Sequence, residues 1–113
     1  MINREKLQAA GINVEEGIHR MGGQESLYER FLNSFLDNPY YQKMLDAMEC
    51  KDVEAAFQSA HALKGMAGNM SMTELFEAMV PLVEEFRAKS MVRALELYEP
   101  VRIAYEKIEI VMK

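Results

Sequence analysis

An all-α fold, an antiparallel four-helix bundle with short N-terminal helices, is predicted by three features of the sequence. Apolar residues recur at spacings of three and four along almost the whole chain. No stretch alternates apolar and polar residues as a half-buried strand does. The breaks between periodic segments are short, which favours antiparallel neighbours. The 113 residues suit one domain, with residues 1–22 as an N-terminal appendage and 24–112 as the bundle.

The elements follow in order. Residues 3–9 fit a short helix ended by Gly11, and Asn13 reads as the N-cap of a second through Met21, stopped by Gly22-Gly23. A longer apolar face then runs through Leu27, Tyr28, Phe31, Leu32, Phe35 and Leu36, and on through Tyr40, Tyr41, Met44, Leu45 and Met48. Between these sets, Asn38-Pro39 is either an N-cap with proline in the first turn or a kink in one long helix. Asp52 is placed to cap a helix ending near Met70, and Glu54 suits its positive end. Ser71-x-x-Glu74 matches a capping box, which starts the next helix at Met72 with Leu75, Phe76, Met79, Leu82, Val83 and Phe86 inward. A last helix is expected from Met91 to Met112, kinked at Pro100, with Leu95, Tyr98, Val101, Tyr105 and Ile108 inward. Most of the ten methionines fall at core spacings and read as gap-fillers.

Composition narrows the function. Half of the residues are hydrophobic and three are proline, as in a folded helical protein. A net charge of -5 argues against nucleic acid and for protein partners. The single cysteine, Cys50, forms no internal disulfide, and no apolar run has the length of a membrane span or the form of a signal peptide. A cytoplasmic monomer is the expectation. Two histidines and one cysteine, far apart, offer no metal-ligand set, and no phosphate-binding loop or dinucleotide fingerprint is present.

One stretch departs from an ordinary amphipathic helix. In residues 60–69 the helical advance of about 100° per residue places His61 opposite the side shared by Ala56, Ser59, Leu63, Met66 and Met70. Phe57, Gln58, Lys64, Gly65 and Gly68 surround it on the outward face. Two glycines inside a helix cost roughly 0.5 to 1 kcal/mol each relative to alanine, so the bare surface implies a compensating use. An exposed imidazole is a nucleophile near neutral pH, and the Lys64 ammonium one turn on offsets the charge of an incoming phosphoryl group. Gly65 and Gly68 would let a partner's active site come close.

The run His61-x-Leu63-Lys64-Gly65, followed by Gly68 and Asn69, resembles the signature of histidine-containing phosphotransfer domains of phosphorelays. Residues 11–18 and 22–28 resemble the N-terminal part of the same family. Where many members have glycine ten residues after the histidine, this chain has Ser71. The resemblance implies a carrier without its own ATP site, phosphorylated at Nε2 of His61. Receiver domains of response regulators or hybrid kinases would be its partners and would supply the Mg2+. On the face itself, Phe57 reads as a docking contact in preference to a ring partly tucked into the bundle, Gln58 as either a solvated residue or a hydrogen-bond partner of the imidazole or its phosphoryl group, and Asn69 as a cap for the helix end before a contact to phosphate. His19 lacks any such context and reads as structural or solvent-facing, and Glu84-Glu85 as a solvated acidic pair. Charging in trans by a chemotaxis-type kinase, and a blocking adaptor that never carries phosphate, are the competing functions.

Overall fold

Side-chain caps fix where several helices begin. The computed structural model describes residues 2–113 and contains seven helices: α1 (Arg4–Ala9), α2 (Val14–Arg20), α3 (Glu25–Phe35), α4 (Tyr40–Glu49), α5 (Val53–Asn69), α6 (Thr73–Arg87) and α7 (Ala94–Met112), with no strand among the described residues. Asn3, Asn13 and Asp52 each accept a hydrogen bond at 3.1 Å from the backbone N–H three residues on, satisfying a donor that the first helical turn leaves open. Asn38 accepts from the backbone N–H of Tyr40 and Tyr41 at 2.9 and 3.2 Å, and donates to the Phe35 carbonyl at 2.7 Å. Asn38-Pro39 therefore separates two helices rather than kinking one, as expected where proline disfavours the helical conformation of the residue before it.

Helix ends share a second device. α1, α2, α4, α5 and α6 all close with a paired 6→1 and 5→2 backbone bond, for α5 Met72 N–H to Ala67 O at 2.9 Å and Ser71 N–H to Gly68 O at 3.1 Å. The residue between needs a left-handed conformation: Gly11 and Gly22 supply it in the first two, Lys51, Ser71 and Lys89 in the others, with φ of 59°, 56° and 59°. The Ser71 capping box is accordingly not formed. Ser71 ends α5 and Met72 occupies the N-cap of α6, while the Ser71 hydroxyl donates to Glu16 Oε1 at 2.8 Å.

α4 packs on α5, α5 on α6 and α6 on α7, joined by the short connections 50–52, 70–72 and 88–93. Ala56, Ala60 and Ala67 on the inner side of α5 let its neighbours approach closely around buried Leu63, Met79, Leu82, Phe86 and Ile108. Each large side chain so buried stabilises the fold by about 1.5 to 3 kcal/mol. Two inward expectations fail: Phe31 is 46% and Leu95 79% exposed. Leu95 turns outward because Ala94 starts α7 and takes the inward stripe with Val101 and Tyr105, about 100° from Leu95. Phe76 and Met66 are half-buried and pack against the core. Pro100 sits within α7 without ending it. Glu85 is not simply solvated: it accepts from the Ser90 hydroxyl at 2.7 Å and the Arg93 backbone at 2.8 Å, bonds that lower its pKa and tie the α6–α7 turn.

The N-terminal segment is part of the same core. Leu7, Ile12 and Val14 are buried in it, and Asn13 N–H donates to the Ser71 carbonyl at 2.8 Å. Gly17 leaves room for the Tyr28 ring, which a Cβ there would meet at 2.3 Å. Tyr28 donates its hydroxyl to the Met70 carbonyl at 2.7 Å, and burial, helped by the nearby Glu16 charge, pushes its pKa up to about 12. The end of α5, just beyond the outward histidine, is thus held by α2 and α3 as well as by its own turn.

Candidate functional site

α5 divides its surface between two environments. Ala56, Ser59, Ala60, Leu63 and Ala67 are buried, whereas His61 and Gly65 are exposed and Lys64 is half-buried. The Phe57 ring, one turn before His61, is half-buried and stacks on the imidazole with ring centres 5.6 Å apart and planes 18° from parallel. Its face also carries the Arg87 guanidinium of α6, whose central carbon lies 5.0 Å from the ring centre. One turn beyond His61, the Lys64 ammonium lies 5.7 Å over the Phe76 ring of α6. Two cations, each resting on an aromatic face, therefore bracket the histidine along the α5–α6 seam.

Neither Arg87 nor Phe76 stood out in the sequence as a site residue. Phe57 near the start of α5 meets Arg87 at the end of α6, and Gly68 near the end of α5 meets Phe76 near the start of α6. These two helices therefore run in opposite directions. The signal was the short connection at 70–72, which sends α6 back past His61 and brings residues of the α6 outer edge beside it.

The two glycines differ. A Cβ on Gly65 would meet nothing within 4 Å, whereas one on Gly68 would come within 3.0 Å of the Phe76 ring. Gly68 thus serves packing within the chain: without a side chain there, Phe76 lies against α5 and reaches Lys64. Gln58 is exposed, and its amide donates to Glu54 Oε1 at 3.5 Å, not to the imidazole. Asn69 is exposed as the last residue of α5, whose end is closed by backbone bonds rather than by the Asn69 side chain. Together with Arg20 it lines two shallow grooves, the first of them bordered by Gly65 and Gly68. One, of about 450 Å³, also includes Glu16 and Phe76; the other, of about 550 Å³, has Met21, Phe31 and Met66. The Ser71 hydrogen bond, and secondarily Arg20, hold the Glu16 carboxyl below its ordinary value. His19 is exposed on α2 and lines neither groove.

Chemically the arrangement is an accessible nucleophile on a packed helix, with an open approach at Gly65 and a cation on either side, the Lys64 ammonium and the Arg87 guanidinium, which pairs with Glu84. No group of three or more His, Cys, Asp or Glu side chains among the described residues is placed to hold a metal ion, and no helix among them is long and apolar enough to cross a membrane. Comparison with curated proteins and with solved structures gives no match. The family model for the Hpt domain matches residues 26–109, a span that contains α4 to α6, most of α3 and of α7, and the whole His61 stretch. The chain belongs to the Hpt domain family, the histidine-containing phosphotransfer modules of two-component systems.

Proposed function

We propose that this chain is a phosphorelay carrier that accepts a phosphoryl group on His61 from the aspartate of a receiver domain and passes it to a second receiver. The observation that carries the reading is the exposure of His61 on the outer side of a helix whose inner side is core, beside open space at Gly65. A nucleophile held on a packed helix keeps its place without help from the partner.

In the proposed reaction, the lone pair of neutral Nε2 attacks phosphorus in line with the scissile bond. The P–O bond of the aspartyl phosphate breaks, the aspartate leaves as a carboxylate with the electron pair, and an N–P bond forms. The proton on Nδ1 stays through the transfer and is then lost to water. Lys64 moves from the Phe76 ring toward the phosphoryl oxygens as a point charge. The receiver brings the Mg2+ and most of the charge stabilisation, so this chain serves as a carrier and not as an enzyme with an ATP site. The second transfer is the reverse of the first.

The docking face centres on His61 and Gly65, with Phe57 on one flank and the groove of Met21, Phe31 and Met66 on the other. We take the scaffold to be an antiparallel four-helix bundle in which α3 and α4 together form one member, and residues 1–113 to work as one cytoplasmic, monomeric domain. The three short connections and the shared core support that arrangement. The test is transfer from a radiolabelled receiver to the wild-type chain and to His61→Gln. The expected result is acid-labile, alkali-stable label on the wild type and none on the variant. Tight binding to the receiver without label would point to a blocking adaptor, and full labelling of His61→Gln would sink the assignment of the acceptor.

A further inference from the structure

Arg87 lies on a different helix from the histidine motif, yet one ring ties it to the nucleophile. Phe57 stacks on His61 and carries the Arg87 guanidinium on its face, at 5.6 and 5.0 Å between centres. Glu84, one turn earlier on α6, accepts from Arg87 Nε at 3.1 Å and leaves the guanidinium face on the Phe57 ring. A planar, weakly hydrated guanidinium stacks on an aromatic face in a way that a compact ammonium does not. Phe57 is half-buried and packs against the core, with the α6 guanidinium over its ring.

An exposed imidazole on a helix otherwise samples several rotamers. In-line attack requires one of them, with the ring nitrogen's lone pair aimed at phosphorus, and a bound near-attack geometry accounts for a large share of such a rate. We propose that Arg87 is a positioning residue for phosphoryl transfer: through the Phe57 ring it holds the His61 imidazole in the orientation from which it attacks. The inference rests on the phosphotransfer reading given above. It predicts an effect on the transfer step and not on the encounter with the receiver.

The experiment is rapid-quench transfer from a phosphorylated receiver at varied receiver concentration, with wild type, Arg87→Ala, Arg87→Lys, Phe57→Ala and the Arg87→Ala/Phe57→Ala pair. Arg87→Ala is expected to lower the limiting rate by about fivefold or more and to leave the half-saturating concentration within about twofold. Arg87→Lys should recover little of the loss, and the pair should be no slower than Phe57→Ala alone, because both act through one stack. Thermal melts accompany every variant; if Arg87→Ala does not fold, Arg87→Gln replaces it in the same comparisons. A wild-type rate in the Arg87 variant overturns the inference. So does an effect confined to half-saturation, full rescue by lysine, or losses that multiply in the pair. A wild-type chain that takes no label at all fails the phosphotransfer reading itself, an outcome distinct from each of these.

Discussion

Gly65 and Gly68 lie three residues apart on one helix and answer to different constraints. Gly65 faces open space, so within the chain it is only a helix-weakening residue, and replacing it with alanine should stabilise the fold by roughly 0.5 to 1 kcal/mol. Phosphoryl uptake from a receiver should slow in the same variant, since the new methyl sits where the partner approaches. Gly68→Ala gains the same helical preference but drives a carbon to 3.0 Å from the Phe76 ring, and shifting that ring costs about 1 kcal/mol or more. Urea unfolding should therefore rank Gly65→Ala as the more stable of the two by about that amount. Equal stabilities would show that Phe76 is free to move and that Gly68 is not needed for packing. The same displacement would take Phe76 away from Lys64, whose ammonium now rests over it.

Turns are the elements that the sequence reveals least. Helical periodicity located all of the long helices, and Asn13 and Asp52 act as the N-caps their positions suggest, because these are local patterns with one physical cause. Lys51, Ser71 and Lys89 gave no such sign: the left-handed residue that closes a helix is usually glycine, and these three are not. The serine standing where many family members have glycine keeps the turn geometry and adds a bond to Glu16. Two substitutions separate these contributions. Ser71→Gly and Ser71→Ala lose the same hydroxyl, but only alanine retains the left-handed strain, so the glycine variant should be about 1 kcal/mol more stable than the alanine variant at every pH. Glu16 in the wild type is held below the usual carboxylate value of 4.5, first by Ser71. A depressed carboxyl stabilises the fold above its unfolded pKa and loses that contribution as pH falls through the folded one. Ser71→Ala should thus be less stable than wild type at pH 7, and the two should converge in urea titrations as the pH falls through the depressed pKa of Glu16. Parallel curves down to pH 2 would mean that the Ser71–Glu16 bond contributes nothing to folding.

At the scale of the whole molecule, one helix serves both core and site. His61, Lys64 and Gly65 could be found from the sequence because they share α5, where spacing alone decides which side faces water. Arg87 and Phe76 could not, since their place beside His61 depends on the turn at 70–72 and on how α6 packs back along α5. The division of α5 into two faces implies that stability and transfer can be altered independently. Leu63, two residues from His61, is wholly buried, and Leu63→Ala should cost about 2 to 5 kcal/mol, a large part of the 5 to 15 kcal/mol typical of a domain. His61→Gln uncovers at most part of one face of the Phe57 ring and should leave the urea midpoint nearly unchanged. At low temperature, where the Leu63→Ala chain is still mostly folded, its phosphoryl uptake per folded molecule should stay within about twofold of wild type, because the backbone that carries His61 is also held by the turn, by Tyr28 and by α2. Uptake that falls in proportion to stability, rather than to the folded fraction, would show that the inner packing of α5 tunes the nucleophile and that its two faces are coupled.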